Sequence, residues 1–213
     1  VSVCAYPEGT PLPRLAKSVH RMYAKRHGYA YIVHEETFND GRPPAWSKVR
    51  AVYEILEQGQ WEWVLWVDCD IYFMDLSSTI DSLMMRYGST AATGSLNPDL
   101  QLLLTEDSQM LNTAIFLLRR SSWSLSLLQR VWGPEDSPFT NHTWWEQAAF
   151  AQELLGRNHQ RFQHVTYVQE GMLGLPEGDQ AGAYPPQVRV VPQFEMNSYH
   201  PISSRLVGET WSP

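Results

Sequence analysis

The sequence is poor in cysteine and in positive charge. It contains two cysteines, Cys4 and Cys69, too few for a disulfide-rich scaffold or a structural zinc site. Both lie in apolar runs typical of buried strands, so we expect them to be reduced thiols in the core. The formal net charge of −7 predicts no nucleic-acid partner, because a phosphate backbone requires a basic surface.

Long apolar runs and several common enzyme signatures are also absent from the sequence. No apolar run approaches the roughly 20 residues that cross a bilayer, and the segment from Val1 to Pro7 lacks the basic start of a signal peptide. We therefore expect a soluble molecule with no membrane segment in this chain. The sequence has no P-loop, nucleophile elbow or zinc-spaced set of cysteines and histidines, which excludes the enzyme classes built on those motifs.

The sequence does contain apolar strands that alternate with amphipathic helices. Helices are predicted at residues 14–27, 46–58, 122–132 and 145–155, and strands at residues 1–6, 29–34, 61–70, 90–94, 113–118 and 188–191. In the first helix the predicted buried stripe consists of Leu15, Val19, Met22 and Tyr23. Strands separated by helices indicate a single α/β domain with a central, mostly parallel sheet flanked by helices.

The most apolar strand, residues 61–70, ends in an acidic triplet. Asp68 and Asp70 lie two residues apart, so on an extended backbone their carboxylates point to the same side, roughly 6–7 Å apart. Two like charges between apolar segments are costly unless a cation or hydrogen bonds hold them. Mg²⁺ and Mn²⁺ prefer oxygen ligands of this kind, so we predict a divalent metal site here. Asp75, farther along, is predicted to cap the next helix.

Three segments occur in an order and spacing known from one enzyme family. They are WSKVRAVYEILEQGQWEWVLWVDCDIYFMDL at residues 46–76, LNTAIFLLRRSSWSLSLLQRVW at residues 111–132 and WWEQAAFAQELL at residues 144–155. Together they resemble glycosyltransferase family 34, which contains galactosyl-, xylosyl- and related transferases. The resemblance implies the Rossmann-like GT-A fold, a Mn²⁺ or Mg²⁺ cofactor, a UDP-linked nucleotide-sugar donor, a glycan or glycoprotein acceptor, and transfer with retention at the anomeric carbon.

The same resemblance implies roles for individual residues. Asp68 and Asp70 match the ligands of the metal and the diphosphate. Asn112 matches a contact near the reacting carbon, and Glu146 and Gln147 match catalytic groups beneath the sugar ring. Trp145 stands where the family often has an acid, so the catalytic role of its neighbours stays open.

Several further residues have two interpretations. Lys48, on the family's W-x-K helix, either offsets the charge of the diphosphate or lies on a solvated helix face. Tyr6 either stacks on the nucleotide base or is an aromatic at the core edge. Trp144 or Trp145 either stacks on an acceptor sugar or packs in the core.

The C-terminal end of the sequence lacks one feature of the family. The family usually closes with a histidine that is the third protein ligand of the metal, and this chain stops at Pro213, just where that strand is expected. His200 is the nearest histidine and therefore the candidate ligand. We expect residues 1–213 to be one GT-A catalytic domain from a longer protein, located in the cytoplasm or, if the parent is anchored, in the Golgi lumen.

Two other functions fit parts of the sequence. A metal-dependent phosphohydrolase or nucleotidyltransferase also uses paired aspartates, and it would need further acids such as Asp99, Asp107 or Asp136 for a second metal. A non-catalytic carbohydrate-binding module would use some of the nine tryptophans. Such modules are usually built from strands alone, whereas this sequence predicts helices.

Overall fold

The computed structural model describes residues 1–38, 41–107, 111–156 and 184–199. In these residues the strands are β1 (Ser2–Val3), β2 (Val33–His34), β3 (Trp63–Val67), β4 (Leu102–Glu106), β5 (Leu111–Arg119) and β6 (Val188–Val191). The helices are α1 (Pro11–His27), α2 (Ser47–Glu57, after a 3₁₀ turn at Pro44–Trp46), α3 (Ile80–Gly88), α4 (Ser122–Trp132), α5 (Trp145–Leu155) and α6 (Gln193–Met196).

The strands form a mixed sheet in which β5 runs against the others. The order of the four longer strands is β3-β5-β4-β6. β5 is antiparallel to β3 and β4, while β4 is parallel to β6. β1 and β2 are a parallel pair. Two hydrogen bonds place β1 beside β3: the Val1 nitrogen donates to the Leu65 carbonyl at 2.7 Å, and the Val67 N–H donates to the Val1 carbonyl at 2.9 Å. The predicted α/β class with a mostly parallel sheet is confirmed.

Helices cover both faces of this sheet. One face packs against α2, α4 and α5 through a large apolar cluster that includes Trp46, Trp66, Phe116, Leu128 and Phe150. The other face packs a smaller cluster, centred on Leu103 and Leu117, against α3 and α6. Because both faces are buried, β5 consists almost entirely of buried residues without the polar alternation of a half-exposed strand.

One predicted strand and one predicted helix cap are wrong, and one strand of the structure was not predicted. Residues 90–94 form an exposed turn closed by backbone bonds such as Gly94 N–H to the Thr90 carbonyl at 2.9 Å, so the predicted strand there is wrong. The strand β4, LLLTE, was not predicted, although all five of its residues are buried. Asp75 does not cap α3 either, because its carboxylate accepts from Ser77 and Ser78 in the preceding turn while Thr79 accepts from the Ser82 N–H at 3.0 Å.

The buried face of α1 is shifted from the predicted stripe. Leu15 and Met22 are 52% and 50% exposed, whereas Ala16 and His20 are buried beside Tyr23. The helix is held partly by polar contacts, since His20 Nε2 lies 2.7 Å from the carbonyl oxygen of Ile71. Hydrophobic periodicity therefore gave the helix but not its orientation.

The two cysteines are joined in a disulfide, which corrects the prediction of reduced thiols. Cys4 and Cys69 are separated by 65 residues in sequence, and their Cα atoms lie 5.3 Å apart. This distance is typical of disulfides. The pairing follows from the position of β1 beside β3, which brings the residues after both strands together. Sequence alone does not reveal that these two strands are neighbours.

No helix in the described ranges is long and apolar enough to cross a membrane. The predicted loop between residues 171 and 186 lies outside the described residues except for its last three positions.

The packing predicts a clear difference between two identical substitutions. Leu128 in α4 is 1% exposed within the large apolar cluster, so Leu128→Ala is expected to lower the free energy of unfolding by about 2–5 kcal/mol. Leu15→Ala in α1, at a residue 52% exposed, should change it by less than about 0.5 kcal/mol. Denaturant unfolding of both variants measures this, and equal losses would contradict the described core.

Candidate active site

The polar side chains that could take part in binding or catalysis lie at one edge of the sheet. Asp68 and Asp70 follow β3, Asp107 follows β4, and Asn112 and Thr113 open β5. Because β3 and β4 are parallel and β5 is antiparallel to both, these positions meet at the same edge. The first turn of α5 adds Glu146 and Gln147 to this group. Ligands of open α/β sheets bind at this kind of edge.

The acidic triplet forms a turn, which corrects the prediction of an extended strand there. β3 ends at Val67, and the Ile71 N–H donates to the Asp68 carbonyl at 3.1 Å. Asp68 is partly exposed, with 29% of its side chain accessible, and Asp70 is exposed. Pairing with β5 continues only as far as the Asp68 N–H, which donates to the Ala114 carbonyl at 2.8 Å, and the chain then turns away from the sheet.

Lys48 of α2 lies at the centre of the site. Its side chain is 5% exposed, and Nζ lies 3.1 Å from Oδ1 of Asp68 and 2.9 Å from Oε1 of Glu146. Nζ also donates to the carbonyl oxygen of Thr113 at 3.1 Å. The three N–H donors of an ammonium thus find three partners, from β3, β5 and α5. The predicted role of Lys48 at a diphosphate stays a prediction, because the structure places its charge between two carboxylates.

Burial and charge oppose each other in this cluster. Burial alone would lower the pKa of Lys48, but the carboxylates of Asp68 and Glu146 outweigh burial and hold that pKa above its usual value. Burial raises the pKa of Asp68, while Lys48 and the Trp66 indole act in the other direction. The indole N–H of Trp66 donates to Oδ1 of Asp68 at 2.7 Å. Asp68 is therefore held by two neighbours.

Thr113 connects the lysine to the predicted catalytic pair. Its hydroxyl donates to Oε1 of Glu146 at 3.2 Å, and its backbone N–H donates to Oε1 of Gln147 at 3.1 Å. Glu146 is 3% exposed, and its second oxygen, Oε2, is buried with no hydrogen-bond partner in the described part of the chain. Sequence analysis missed Thr113 and Trp66; the signals were the LNT segment of β5 and the spacing of Trp66 two residues before Asp68.

Asn112 is held by an acid that the sequence analysis did not place in this site. Its amide nitrogen donates to Oδ2 of Asp107 at 2.7 Å, and its amide oxygen accepts from the Ala114 N–H at 2.8 Å. The Tyr199 hydroxyl donates to the same oxygen of Asp107 at 2.8 Å. The segment after α6 therefore also reaches this edge of the sheet.

Tyr6 and Trp145 are the exposed aromatic residues predicted for the site. Tyr6 is 43% exposed; burial raises the pKa of its phenol, and the negative charges of Asp70 and Asp68 raise it further, which places the ring near both acids. Trp145 is 44% exposed with φ at +41°, a left-handed conformation that is unusual for a residue other than glycine. Trp144 packs partly against the large apolar cluster.

Two of the three predicted metal ligands lie among the described residues. Asp68 and Asp70 lie in the same turn after β3, while His200 lies outside the described residues. Within the described ranges, no three histidine, cysteine, aspartate or glutamate side chains form a group that could hold a metal. A site with one or two carboxylates still suits Mg²⁺ or Mn²⁺, which usually keep water and phosphate oxygens as further ligands.

The sequence profile of the galactosyl transferase GMA12/MNN10 family matches residues 14–211. The chain belongs to this family. The match confirms the resemblance to glycosyltransferase family 34 drawn from the three sequence segments.

Two curated relatives are each less than one third identical to this chain over the aligned residues. The probable alpha-1,6-mannosyltransferase MNN10 of Saccharomyces cerevisiae is 26% identical over 162 residues, covering 65% of this chain and 41% of its own length. Xyloglucan 6-xylosyltransferase 4 of Arabidopsis thaliana is 32% identical over 114 residues, covering 53% of this chain and 21% of its own length. The chain thus spans less than half the length of these relatives.

A solved structure shares the fold. It is the crystal structure of a glycosyltransferase involved in the glycosylation of the major capsid of PBCV-1, which matches with a TM-score of 0.59 and 17% sequence identity. The match covers 91% of this chain and 81% of the other. At this identity the likeness concerns the fold, and it agrees with the predicted GT-A architecture.

The position of Lys48 predicts a large effect on stability. Lys48→Met would leave the carboxylates of Asp68 and Glu146 without their shared cation, and loss of one partner of a buried ion pair costs about 3–5 kcal/mol. Denaturant unfolding at neutral pH measures the loss.

Arg50→Met in the same helix is the matched control. Arg50 pairs with Glu54 at 2.9 Å, but both side chains are at least 40% exposed, and exposed helix pairs contribute only about 0.3–0.5 kcal/mol. A loss at Lys48 no larger than the loss at Arg50 would contradict the described charge cluster.

Proposed function

We propose that this chain is a metal-dependent, retaining glycosyltransferase that moves a sugar from a UDP-sugar to a hydroxyl of a glycan acceptor. Family membership supports sugar transfer. The observation that carries the metal-dependent part is the exposed carboxylate of Asp70 beside Asp68, at the sheet edge where α/β proteins bind ligands.

The charges of the cluster favour a divalent cation. Asp68 and Glu146 share the single ammonium of Lys48, and Asp70 adds a further, exposed carboxylate two residues along the turn, so carboxylates outnumber the ammonium by three to one. Asp68 is already held by Lys48 and Trp66, so Asp70 is the better placed of the pair to bind a metal through open ligand positions. Asp70 and Asp68 would hold Mg²⁺ or Mn²⁺ there, and such a cation supplies positive charge against the charge that develops on the departing diphosphate.

The residues of the chain would then bind and orient the sugar. In the proposed reaction the bond between the anomeric carbon and the diphosphate oxygen breaks, the acceptor oxygen bonds to that carbon, and its proton passes to the departing phosphate. Glu146 would stabilise positive charge on the ring through its Oε2, because Lys48 and Thr113 already hold Oε1. Lys48 holds this buried carboxylate in place through the 2.9 Å contact between Nζ and Oε1.

The alternative functions receive less support from the placement of their residues. Asp99 lies before β4, at the opposite edge of the sheet from Asp70, and Asp136 is exposed in the loop after α4. Asp107 accepts hydrogen bonds from Asn112 and Tyr199. These acids do not form a second metal site with Asp70 among the described residues, as a two-metal phosphohydrolase would require. The helices on both sheet faces disfavour an all-β carbohydrate-binding module.

Asp70→Asn is expected to abolish metal-dependent nucleotide binding. The amide keeps the shape of the side chain but loses the charge that attracts a divalent cation. Calorimetric titration of UDP into wild type and variant, first with Mn²⁺ and then with EDTA, measures this effect.

Asp99→Asn is the control, because it removes an identical charge at the other edge of the sheet. We expect it to bind Mn²⁺–UDP as wild type does. Wild-type affinity in Asp70→Asn, or equal affinity of the wild type with and without metal, would contradict the metal-dependent function.

The acceptor is proposed to bind against Trp145. This residue is exposed, adjoins Glu146 in sequence, and holds a strained backbone that a tryptophan adopts at a cost. Exposed aromatic rings suit the apolar faces of sugars. Trp144 is the weaker candidate because it packs against the core.

Trp145→Gly is expected to separate stability from activity. Glycine adopts a positive φ readily, so the substitution adds no backbone strain at this position and should not lower the free energy of unfolding for that reason. The KM for the acceptor, by contrast, should rise roughly tenfold because the stacking is lost. Steady-state kinetics with varied acceptor, together with titration of Mn²⁺–UDP, measures both effects.

Trp61→Gly serves as the control, since Trp61 is 38% exposed before β3, at the opposite edge. An unchanged acceptor KM in Trp145→Gly would remove Trp145 from the acceptor site.

A further inference from the structure

The Cys4–Cys69 disulfide lies within the acidic triplet itself. Cys69 is the residue between Asp68 and Asp70, and Cys4 follows β1. Both cysteines are buried, at 4% and 3% exposure, in a small cluster with Ala16 that is separate from the large core. The covalent bond therefore joins the end of the first strand to the turn that bears the proposed metal ligand.

The carboxylate of Asp70 is not held by contacts of its own. In the described part of the chain it makes no hydrogen bond or ion pair, in contrast to Asp68, which contacts Lys48 and Trp66. The position of Asp70 is therefore set by the backbone on either side. On one side stands the disulfide at Cys69.

Helix α1 holds the chain on the other side of Asp70. His20 Nε2 lies 2.7 Å from the Ile71 carbonyl oxygen, and the ring of Tyr23 stacks on Phe73 with 3.9 Å between centroids. The Tyr23 hydroxyl donates to the Ser78 carbonyl at 2.8 Å. These contacts fix the chain from Ile71 onward, while the disulfide fixes Cys69, the residue directly before Asp70.

The disulfide also lies close to Tyr6 along the chain. Tyr6 lies two residues after Cys4, and the pKa of its phenol is raised by burial and then by the negative charges of Asp70 and Asp68. Cys4 is itself fixed to β2, since its N–H donates to the His34 carbonyl at 2.7 Å. A bond at Cys4 thus sets the separation between an exposed aromatic ring and an exposed carboxylate.

We propose that the Cys4–Cys69 disulfide is a positioning element that holds Tyr6 and Asp70 at the spacing needed to bind the base and the metal-bound diphosphate of one nucleotide. This inference rests on the proposed function. It predicts that loss of the bond weakens Mn²⁺–UDP binding in protein that is still folded. Loss of a group that supports a metal ligand typically lowers the metal affinity by roughly 10–100-fold.

The test uses Cys4→Ser, Cys69→Ser and the double variant beside the oxidised wild type. Circular dichroism first establishes the temperature below which each protein is folded, and calorimetry then measures the Kd of Mn²⁺–UDP there. All three variants should lose roughly 10–100-fold in affinity to a similar extent, since each lacks the same bond. Leu128→Ala, destabilised in α4 with the disulfide and the turn unchanged, should keep the wild-type Kd.

A double-mutant cycle separates positioning from general destabilisation. Tyr6→Ala should weaken Mn²⁺–UDP binding in the wild type and have little further effect in Cys4→Ser, because the ring has already lost its fixed position. The same loss from Tyr6→Ala in both backgrounds would overturn the proposal.

The outcomes distinguish this proposal from the proposed function. An unchanged Kd in the cysteine variants, or an equal loss in Leu128→Ala, would overturn the positioning role and leave metal-dependent UDP binding intact. No binding by the oxidised wild type would overturn the proposed function and this proposal with it. Reduction of the wild type by a trialkylphosphine and one water, which yields two thiols and a phosphine oxide, should reproduce the loss seen in the variants.

Discussion

The buried ammonium of Lys48 is the interaction on which the arrangement of this site depends. A lysine that is 5% exposed is tolerated only with compensating charge, and here Asp68 and Glu146 supply it from β3 and α5. Thr113 adds a carbonyl from β5. One side chain of α2 therefore ties together elements that are up to 98 residues apart in sequence, between Lys48 and Glu146. None of these groups can move far without leaving a buried charge unpaired.

This arrangement divides the acidic pair into two different environments. Asp68 faces inward and is held by Lys48 and Trp66, whereas Asp70 faces solvent after the turn. Lys48 belongs to the support of the site in this conformation. A sequence motif of two acids therefore corresponds to two roles, one that fixes the turn and one that is open to a ligand.

The sequence predicted local structure better than it predicted which elements meet. The bounds of α4 and α5 were predicted correctly because apolar spacing is a local signal. The strand β4 was missed, since its burial comes from contacts with β5 and β6. The orientation of α1 was wrong because His20 is buried by hydrogen bonds, which a scan for apolar residues does not detect. The family segments led to the site residues that local patterns could not bring together.

The disulfide shows the same limit and changes one expectation about the protein. Two cysteines in apolar strands gave no indication of their pairing, because only the contact between β1 and β3 brings Cys4 to Cys69. Disulfides persist in oxidising compartments and are rare in the cytosol. Reduced thiols would have suited the cytoplasmic location, and the disulfide removes that support. The bond also completes the support of the turn, in which Lys48 holds Asp68, Cys4 holds Cys69 and His20 holds Ile71. Asp70 is thus an exposed side chain on a fixed backbone, which would lower the ordering cost of binding the proposed cation and diphosphate there.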